Sequence, residues 1–275
     1  MCKLCDLFGG GETWYFKPEN YARNIYKLRT PGHKAGSGKD PETVAGELMM
    51  GALQVKFNNP EKFPQLREEV NKKLLEVNIC QVVTLEECNY IIENLAHPLA
   101  LVSCICRRLL RAREETDWDS YSCLAIGVGV YKWERWPERY KGGVLFVSPQ
   151  EAKEWIANWD KKGMVHLVMT FGSPYIGGIC NCDYDCLALR MRQFYDFEYV
   201  LKGHYVAKID FEKCKGCGTC ATRCQFGAIR KIVTRNKFVI DMTKCYGCAV
   251  CVTGCKNDAI SLIKRESSPS LKNLW

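Results

Sequence analysis

Eight cysteines near the carboxyl end of the chain form two copies of one motif. The first copy is Cys214, Cys217, Cys220 and Cys224, and the second, 31 residues later, is Cys245, Cys248, Cys251 and Cys255. The match extends to Ile209-Asp210, which recurs as Ile240-Asp241, and to Gly216, which recurs as Gly247. Agreement of this extent predicts two equivalent structural units.

Each copy has the spacing C-x2-C-x2-C-x3-C, which is typical of thiolates that bind a metal cluster. Three closely spaced thiolates can surround one cluster, while the fourth points elsewhere. Glycine at positions 216, 218 and 247 lets the backbone turn tightly and present N–H groups to sulfur. A pair of zinc sites is the alternative, but zinc motifs do not account for the x3 spacing before the last cysteine.

Over residues 206–264 the repeat resembles the bacterial two-cluster [4Fe-4S] ferredoxin domain. In that family the fourth cysteine of each motif binds the cluster of the other motif. The resemblance therefore implies two [4Fe-4S] clusters, the first on Cys214, Cys217, Cys220 and Cys255, and the second on Cys245, Cys248, Cys251 and Cys224. The family usually has proline after the fourth cysteine, where this chain has Gln225 and Lys256, so we expect a difference in local rigidity.

A second set of cysteines precedes the repeat. It consists of Cys104-x-Cys106, Cys123 and Cys180-x-Cys182-x3-Cys186. The two C-x-C pairs can converge only if the strands that carry them meet. Six thiols exceed the four that one cubane cluster needs, and Cys2 and Cys5 raise the number to eight, enough for two clusters.

The order of motifs in this region resembles that of ferredoxin-like iron-sulfur proteins of anaerobes. The shared elements are CxCR at Cys104, G-[LM]-V-H at Gly163 and ICNC at Ile179, ahead of a carboxy-terminal ferredoxin. The number of thiols predicts one or two additional iron-sulfur clusters on the second set together with Cys2 and Cys5. The alternatives are buried free cysteines, a zinc site, and a non-cubane or substrate-binding cluster. Cys80 and Cys88 lack partners at ligand spacing and are predicted to be buried free cysteines.

The remaining reactive residue types form no recognised catalytic pattern, and we assign no catalytic residue. The histidines, His33, His97, His166 and His204, lack HxH or HExxH spacing and are predicted to be structural or at the surface. His166 is the one most suited to replace a cysteine ligand, because its strand leads toward Cys180. The run Arg107-Arg108-x2-Arg111-x-Arg113 predicts a solvated helix face or a surface for an acidic partner.

Composition restricts the classes to which the chain can belong. With 275 residues, 47% hydrophobic and 25% charged, it is typical of a folded protein rather than a disordered or collagen-like one. In a reducing cytosol, clustered cysteines are more often metal ligands than disulfides. Two clusters of about −2 each would lower the formal charge of +8 to roughly +4, so the basic balance does not indicate nucleic acid as a partner.

The amino end lacks the basic and apolar segments of a secretory signal, and no 18 apolar residues run unbroken. We therefore expect a cytoplasmic protein with no membrane span.

Local signals predict the elements that position the cysteines. Asp40-Pro41 predicts a helix over about 41–56. Thr84-x2-Glu87 and Ser148-x2-Glu151 have capping-box form, and the second of these helices is predicted to close at Gly163. The strand-like runs LALVS, LAIGVGVY, VLFVS and MVHLVMT lie between helix signals.

These signals predict an α+β chain with a two-cluster ferredoxin-like domain at its carboxyl end, preceded by a mixed α/β cysteine-rich domain. The expected divisions are an N-terminal segment with CxxC and a helix at 1–60, the cysteine-rich domain at 61–205, the ferredoxin domain at 206–264 and a tail at 265–275.

The predicted function is that of a multi-cluster iron-sulfur electron-transfer protein or subunit, which passes single electrons to or from a partner oxidoreductase in anaerobic metabolism. Its partners would be redox proteins within a hetero-oligomeric oxidoreductase complex. The alternative is an iron-sulfur enzyme whose upstream cysteines hold an open catalytic cluster that the ferredoxin domain feeds. An assembly or scaffold role is a third possibility.

Overall fold

The computed structural model describes residues 2–21, 41–104, 106–107, 120–130, 144–184, 186–271 and 273–275. The expectations for Asp40, His33, Arg108, Arg111 and Arg113 lie outside these residues. Within them the chain combines helices with strands, as the α+β prediction requires. None of the described helices is both long and apolar enough to cross a membrane.

Two α-helices that the structure describes along their whole length precede the first described strand. Helix α1 (Pro41–Asn58) confirms the helix predicted over 41–56 and continues slightly beyond it. Helix α2 (Phe63–Val77) packs against α1 and was not predicted. Its buried residues Phe63, Val70 and Leu74 recur at helical spacing, so one face of α2 is apolar.

A seven-stranded sheet forms the centre of the upstream part. Its strands are β1 (Cys80–Val83), β2 (Leu99–Val102), β3 (Cys123–Ile126), β4 (Val144–Phe146), β5 (Val165–Thr170), β6 (Ile176–Cys182) and β7 (Val200–Leu201). They lie in the order β4-β2-β3-β6-β5-β1-β7. Neighbouring strands are antiparallel except β1 and β7, which are parallel. Each of the four strand-like runs overlaps one of these strands.

Among the described residues, three longer helices flank the sheet, α3 (Leu85–Asn94), α4 (Pro149–Lys161) and α5 (Leu187–Tyr195). Both predicted capping boxes are confirmed, because the side chains of Thr84 and Ser148 accept hydrogen bonds from the backbone N–H groups of Glu87 and Glu151. The chain leaves α4 at Gly163, whose φ of +89° suits glycine.

The sheet buries both of its faces. We call the front face the one that carries Val82, Ala100 and Cys123, and it packs against α1, α2 and α5. The back face carries Val83 and Leu124 and packs against α3, α4 and the amino-terminal residues 2–21. Because side chains alternate between faces along a strand, each face collects residues at every second position.

The carboxy-terminal part has two antiparallel strand pairs and two short helices. Strand β8 (Tyr205–Ile209) pairs with β11 (Ile260–Lys264), and β9 (Ile229–Ile232) pairs with β10 (Lys237–Ile240). The helices are α6 (Thr219–Arg223) and α7 (Val250–Thr253). The repeat extends to the backbone, because Gly218 and Gly227 have positive φ and so do their counterparts Ala249 and Asp258. The sequence repeat therefore corresponds to a repeated conformation.

Candidate metal centres

The first metal-sized cavity lies in the carboxy-terminal part and is lined by four cysteines. They are Cys214, Cys217 and Cys220 of the first motif and Cys255 of the second. The rest of the wall is largely apolar and includes Ile209, Phe238 and Ile260. The fourth position of this cavity is therefore supplied by the other motif.

The second cavity repeats this arrangement. It is lined by Cys245, Cys248 and Cys251 of the second motif and by Cys224 of the first. The two cavities each have a volume of about 20 Å³, so they are equal in size. Both cysteine sets coincide with the crossed ligand sets that the ferredoxin resemblance implies.

The backbone around both cavities suits a sulfur-rich cluster. The backbone N–H of Ala228 donates to Cys224 Sγ at 3.3 Å, and that of Ala259 donates to Cys255 Sγ at 3.4 Å. Gly216 is required, because a Cβ there would clash with the carbonyl oxygen of Asn236 and φ is +69°. Donors to sulfur and an apolar wall are the features by which proteins adjust cluster potentials.

The two cavities differ in exposure at equivalent positions. Cys217 is exposed, and hydrogen bonds from the backbone and hydroxyl of Thr219 lower the pKa of its thiol. Its counterpart Cys248 lies deeper, and burial raises the pKa of that thiol well above its usual value. The first cavity therefore borders solvent, whereas the second faces the protein interior.

The residue that replaces the usual proline joins the two parts of the protein. The side-chain amide of Gln225 donates to the carbonyl of Gly163 at 3.1 Å and accepts from the backbone N–H of Tyr184 at 3.0 Å. Its own carbonyl accepts from the side chain of Gln193 at 2.7 Å. A proline would remove both side-chain bonds, so glutamine here has a docking role that the sequence did not indicate.

The six upstream cysteines converge on the front face of the sheet. Cys123 on β3 lies directly opposite Cys180 on β6. Because a C-x-C pair spans two positions, Cys182 is on the same face as Cys180. Cys104 follows β2, the other neighbour of β3, two residues beyond Val102, which pairs with Cys123. The segments that carry the two C-x-C pairs, β6 and the residues after β2, therefore meet through β3.

The six thiols form a continuous series of contacts. In order of contact they are Cys106, Cys104, Cys123, Cys180, Cys182 and Cys186. Hydrogen bonds from Cys106 and then Cys123 lower the pKa of Cys104. Hydrogen bonds to Cys104 and Cys180 raise the pKa of Cys123. The guanidinium of Arg107 also favours the thiolate of Cys104 and donates to the carbonyl of Asn181 at 3.2 Å.

Six clustered thiols supply more than the four ligands of one cubane cluster, and the chemistry of this donor set suits iron and sulfide. All of them except Cys106 are buried. Cys80 is buried on the same face, near enough for its charge to affect the pKa of Cys180. Cys88 is buried on α3, behind the sheet.

His166 does not face the cysteines. It lies on β5 opposite Asn181, one position away from the Cys182 pair, so its side chain points to the back of the sheet. Its Nδ1 is 2.6 Å from Asn181 Oδ1, and its Nε2 is 3.5 Å from Asp160 Oδ1. The suggestion that His166 replaces a cysteine ligand is therefore wrong, because successive side chains along β5 point to opposite faces of the sheet and that of His166 points away from the cysteines.

The structure separates Cys2 and Cys5 from the six upstream cysteines. Both belong to the core behind the sheet, whereas the six lie in front of it. They meet His204 instead, and the ligand atoms of all three residues lie within 4.8 Å of one another. Sequence spacing could not have found this group, because His204 is 199 positions from Cys5.

Comparison with protein families supports the assignment of the first motif. Residues 207–230 match the family described as 4Fe-4S binding domain. This segment contains Cys214, Cys217, Cys220 and Cys224 and indicates at least one [4Fe-4S] cluster. A search of curated proteins finds no match to the chain.

Substitution tests the crossed cavities. In Cys255→Ala, we expect loss of the EPR signal that Cys217→Ala also removes, with a decrease of about four iron atoms per chain. The reason is that Cys255 lines the cavity of the first motif. Cys245→Ala is the control and should remove the other signal. If Cys255→Ala and Cys245→Ala remove the same signal, the ligands are not crossed.

Iron analysis tests the upstream set. Anaerobically purified protein should contain at least about 12 iron atoms, from three cubanes of four. Cys180→Ala should lower this number by about four, because Cys180 lies in the middle of the thiol series. Cys88→Ala, a buried cysteine outside the set, should leave it unchanged. A wild-type value of about eight would make the upstream set metal-free.

Proposed function

We propose that this protein transfers single electrons through a series of iron-sulfur clusters, between a buried upstream site and a redox partner at its surface. The observation that carries the proposal is the arrangement of three thiol-lined sites. One is formed by the six upstream cysteines on the front of the sheet, which we call the front-face set, and the others are the two carboxy-terminal cavities. Bound [4Fe-4S] clusters would supply one-electron redox chemistry, and the chain would supply their position, surroundings and partner surface.

The second cavity, which we call the inner cavity, shares a wall with the front-face set. Tyr246 and Val250 line the second cavity and also belong to the front core that contains the upstream cysteines. Cys248 and Cys106, one from each set, both pack against that core. This shared wall supports transfer between the upstream site and the Cys245 motif.

The two carboxy-terminal cavities are also adjacent. Cys224 belongs to the first motif but lines the second cavity, and Cys255 does the reverse. The charge of Cys220 also acts on Cys251, across the boundary between the two sites. The three sites are thus neighbours in a series, which is the arrangement that a conduit requires.

The two parts of the protein are held together at this junction by hydrogen bonds. Arg223 donates to the carbonyls of Asp160 and Lys161 at 2.8 and 2.9 Å, and to that of Val250 at 3.0 Å. Arg192 Nε donates to the hydroxyl of Tyr246 at 2.6 Å. Fixed relative positions favour electron transfer within one molecule.

The surface around the first cavity, which we call the outer cavity, supports docking of an acidic redox protein. Lys213 and Lys215 lie just before exposed Cys217 in the sequence. Lys256 is near enough for its charge to lower the pKa of the Cys217 thiol. Residues 206–264 contain eleven Lys and Arg but four Asp and Glu. A basic surface around an exposed ligand attracts an anionic partner and increases its rate of association. In this proposal the partner is an oxidoreductase of anaerobic, cytoplasmic metabolism, which forms a hetero-oligomeric complex with this chain.

Burial of the upstream set favours a conduit over an enzyme. Five of the six front-face cysteines are buried, and Cys106 is half-buried. An open catalytic site needs a ligand position that substrate can reach, whereas electron transfer does not.

Small ligands of iron distinguish these functions. Cyanide or carbon monoxide should leave the EPR and absorption spectra of the reduced protein unchanged, because six thiols are sufficient to complete an upstream cluster. A ligand-induced change that disappears in Cys180→Ala but persists in Cys217→Ala would place an open iron site upstream and would contradict the conduit.

Charge reversal tests the docking surface without an identified partner. In Lys215→Glu/Lys256→Glu, oxidation of the reduced protein by anionic ferricyanide should slow roughly threefold to tenfold at low salt. The effect should decrease above about 0.1 M salt, where screening acts within about 10 Å. Cationic hexaamminecobalt(III) should instead react faster with the variant.

The matched control is Lys72→Glu/Lys73→Glu, which reverses two exposed charges on α2. In this control, the rates with ferricyanide and with hexaamminecobalt(III) should each change by no more than about a third of the change seen in Lys215→Glu/Lys256→Glu. Equal slowing in both variants, or slowing that salt does not relieve, would contradict electron exit at Cys217.

A further inference from the structure

A third type of metal-ligand group lies behind the sheet, apart from the cluster sites. It consists of Cys2, Cys5 and His204. Both cysteines are buried, and Cys5 Sγ is 3.3 Å from His204 Nε2. All three ligand atoms lie within 4.8 Å of one another, although His204 is 199 positions from Cys5.

Local structure brings the two thiols together. A one-turn segment, Cys5–Gly9, begins at the second cysteine, and the backbone N–H of Asp6 donates to the carbonyl of Cys2 at 3.0 Å. The C-x2-C spacing is the one that zinc sites use to place two thiolates on one ion. The backbone N–H of Trp14 also donates to Cys5 sulfur.

His204 is positioned by the docking of the carboxy-terminal part. Its carbonyl accepts a hydrogen bond from the backbone N–H of Arg265 at 2.7 Å, and the preceding Gly203 N–H donates to the carbonyl of Tyr246 at 2.9 Å. Its ring contacts Trp275 edge to face, with the centroids 5.4 Å apart. The group is therefore complete only when both parts of the chain are folded together.

Buried side chains hold the ligands in place. Gln81 is fully buried on β1 and donates to Cys2 Sγ at 3.1 Å. Its other contacts are the indole N–H of Trp14 at 2.5 Å and the carbonyl of Lys202 at 2.9 Å. A buried amide directed at a sulfur in this way stabilises a thiolate ligand.

The second nitrogen of His204 is part of a relay to a carboxylate. Nδ1 is 2.5 Å from the hydroxyl of Tyr15, which donates to Glu87 Oε1 at 2.7 Å. The other oxygen of Glu87 accepts from the backbone N–H of Thr84 at 2.8 Å, so this carboxylate is fixed. With the proton on Nδ1 donated to Tyr15, Nε2 presents its lone pair toward the cysteines, which is the arrangement of a metal-bound histidine.

The compactness of the group indicates one ion rather than a cubane cluster. In a cubane each thiolate binds a different iron, so the sulfur ligands lie on different sides of the cluster. Ligands of one zinc ion, at about 2.3 Å for sulfur and 2.0–2.1 Å for nitrogen, are close neighbours. The 3.3 Å contact between Cys5 and His204 is of that kind.

We propose that Cys2, Cys5 and His204 bind one Zn²⁺ ion whose fourth coordination position faces a cavity. The ligand atoms of the three residues are the ones that zinc prefers in this combination. The cavity is bounded by Glu87, Tyr205, Lys264 and Trp275 and opens toward solvent. The fourth ligand would be a water molecule, as at zinc sites with three protein ligands. This site is separate from the clusters of the proposed function.

Zinc analysis of the full-length protein tests the site. Protein isolated anaerobically and equilibrated with a zinc buffer should contain one zinc ion beyond its iron. Zinc-edge X-ray absorption should show two sulfur neighbours at about 2.3 Å and nitrogen or oxygen neighbours at about 2.0–2.1 Å. Absence of zinc, or a zinc ion with four sulfur neighbours, would overturn the proposal, because the latter would place zinc in a cluster cavity.

Variants separate this site from the clusters. Cys5→Ser and His204→Gln should each lose the zinc ion while iron content and EPR signals stay unchanged. Cys88→Ala, which alters a buried cysteine of the same core, should keep the zinc. If Cys5→Ser instead loses about four iron atoms, Cys2 and Cys5 are cluster ligands and the proposal is wrong.

Tyr15→Phe tests the relay without removing a ligand. Because it deletes only the hydroxyl that holds His204 Nδ1, we expect a 10–100-fold weaker zinc affinity in equilibrium dialysis, with iron content unchanged. Tyr21→Phe, which removes a buried hydroxyl that donates to the carbonyl of Tyr15, is the control and should keep an affinity close to wild type. Unchanged affinity in Tyr15→Phe would contradict the role of the relay in zinc binding, and retention of zinc in His204→Gln would show that His204 is not a ligand.

Discussion

Buried thiols that contact one another cannot all ionise unless positive charge lies among them, and this constraint explains much of the structure. In the front-face set, contacts lower the pKa of Cys104 and Cys180 but raise that of Cys123, which lies between them. Bound metal ions would supply the charge that stabilises the complete set as thiolates. Because each set is assembled from distant segments, metal uptake and folding are expected to be coupled in this protein.

The same constraint accounts for the way in which the two parts of the chain meet. The inner cavity needs an apolar wall, and Tyr246 and Val250 supply it while they pack into the front core. Arg223 and Gln225 flank Cys224 in the sequence. Their side chains donate hydrogen bonds to the carbonyls of Asp160 and Gly163 and so attach that cavity to the upstream part. The candidate ligand Cys224 and these docking contacts thus lie in one short segment, so a change in either is expected to affect the other.

Sequence patterns predicted the local elements well because their causes are local. The capping boxes at Thr84 and Ser148 and the 31-residue repeat depend on neighbouring residues alone. Convergence of the C-x-C pairs was predictable in principle, since one pair lies on a strand-like run and the other directly follows one, but the role of β3 as the strand between them was not. The meeting of Cys5 with His204 depends on the docking of the two parts, and no spacing rule contains that information.

The central claim is that the upstream thiols hold a cluster next to the one on the Cys245 motif. Pulsed EPR of the fully reduced protein tests it directly, because neighbouring paramagnetic clusters accelerate each other's spin relaxation. The Cys245-motif signal should relax faster in the wild type than in Cys180→Ala, which lacks the upstream cluster but keeps both carboxy-terminal cavities. Equal relaxation in the two proteins, with both carboxy-terminal signals intact, would contradict the claim.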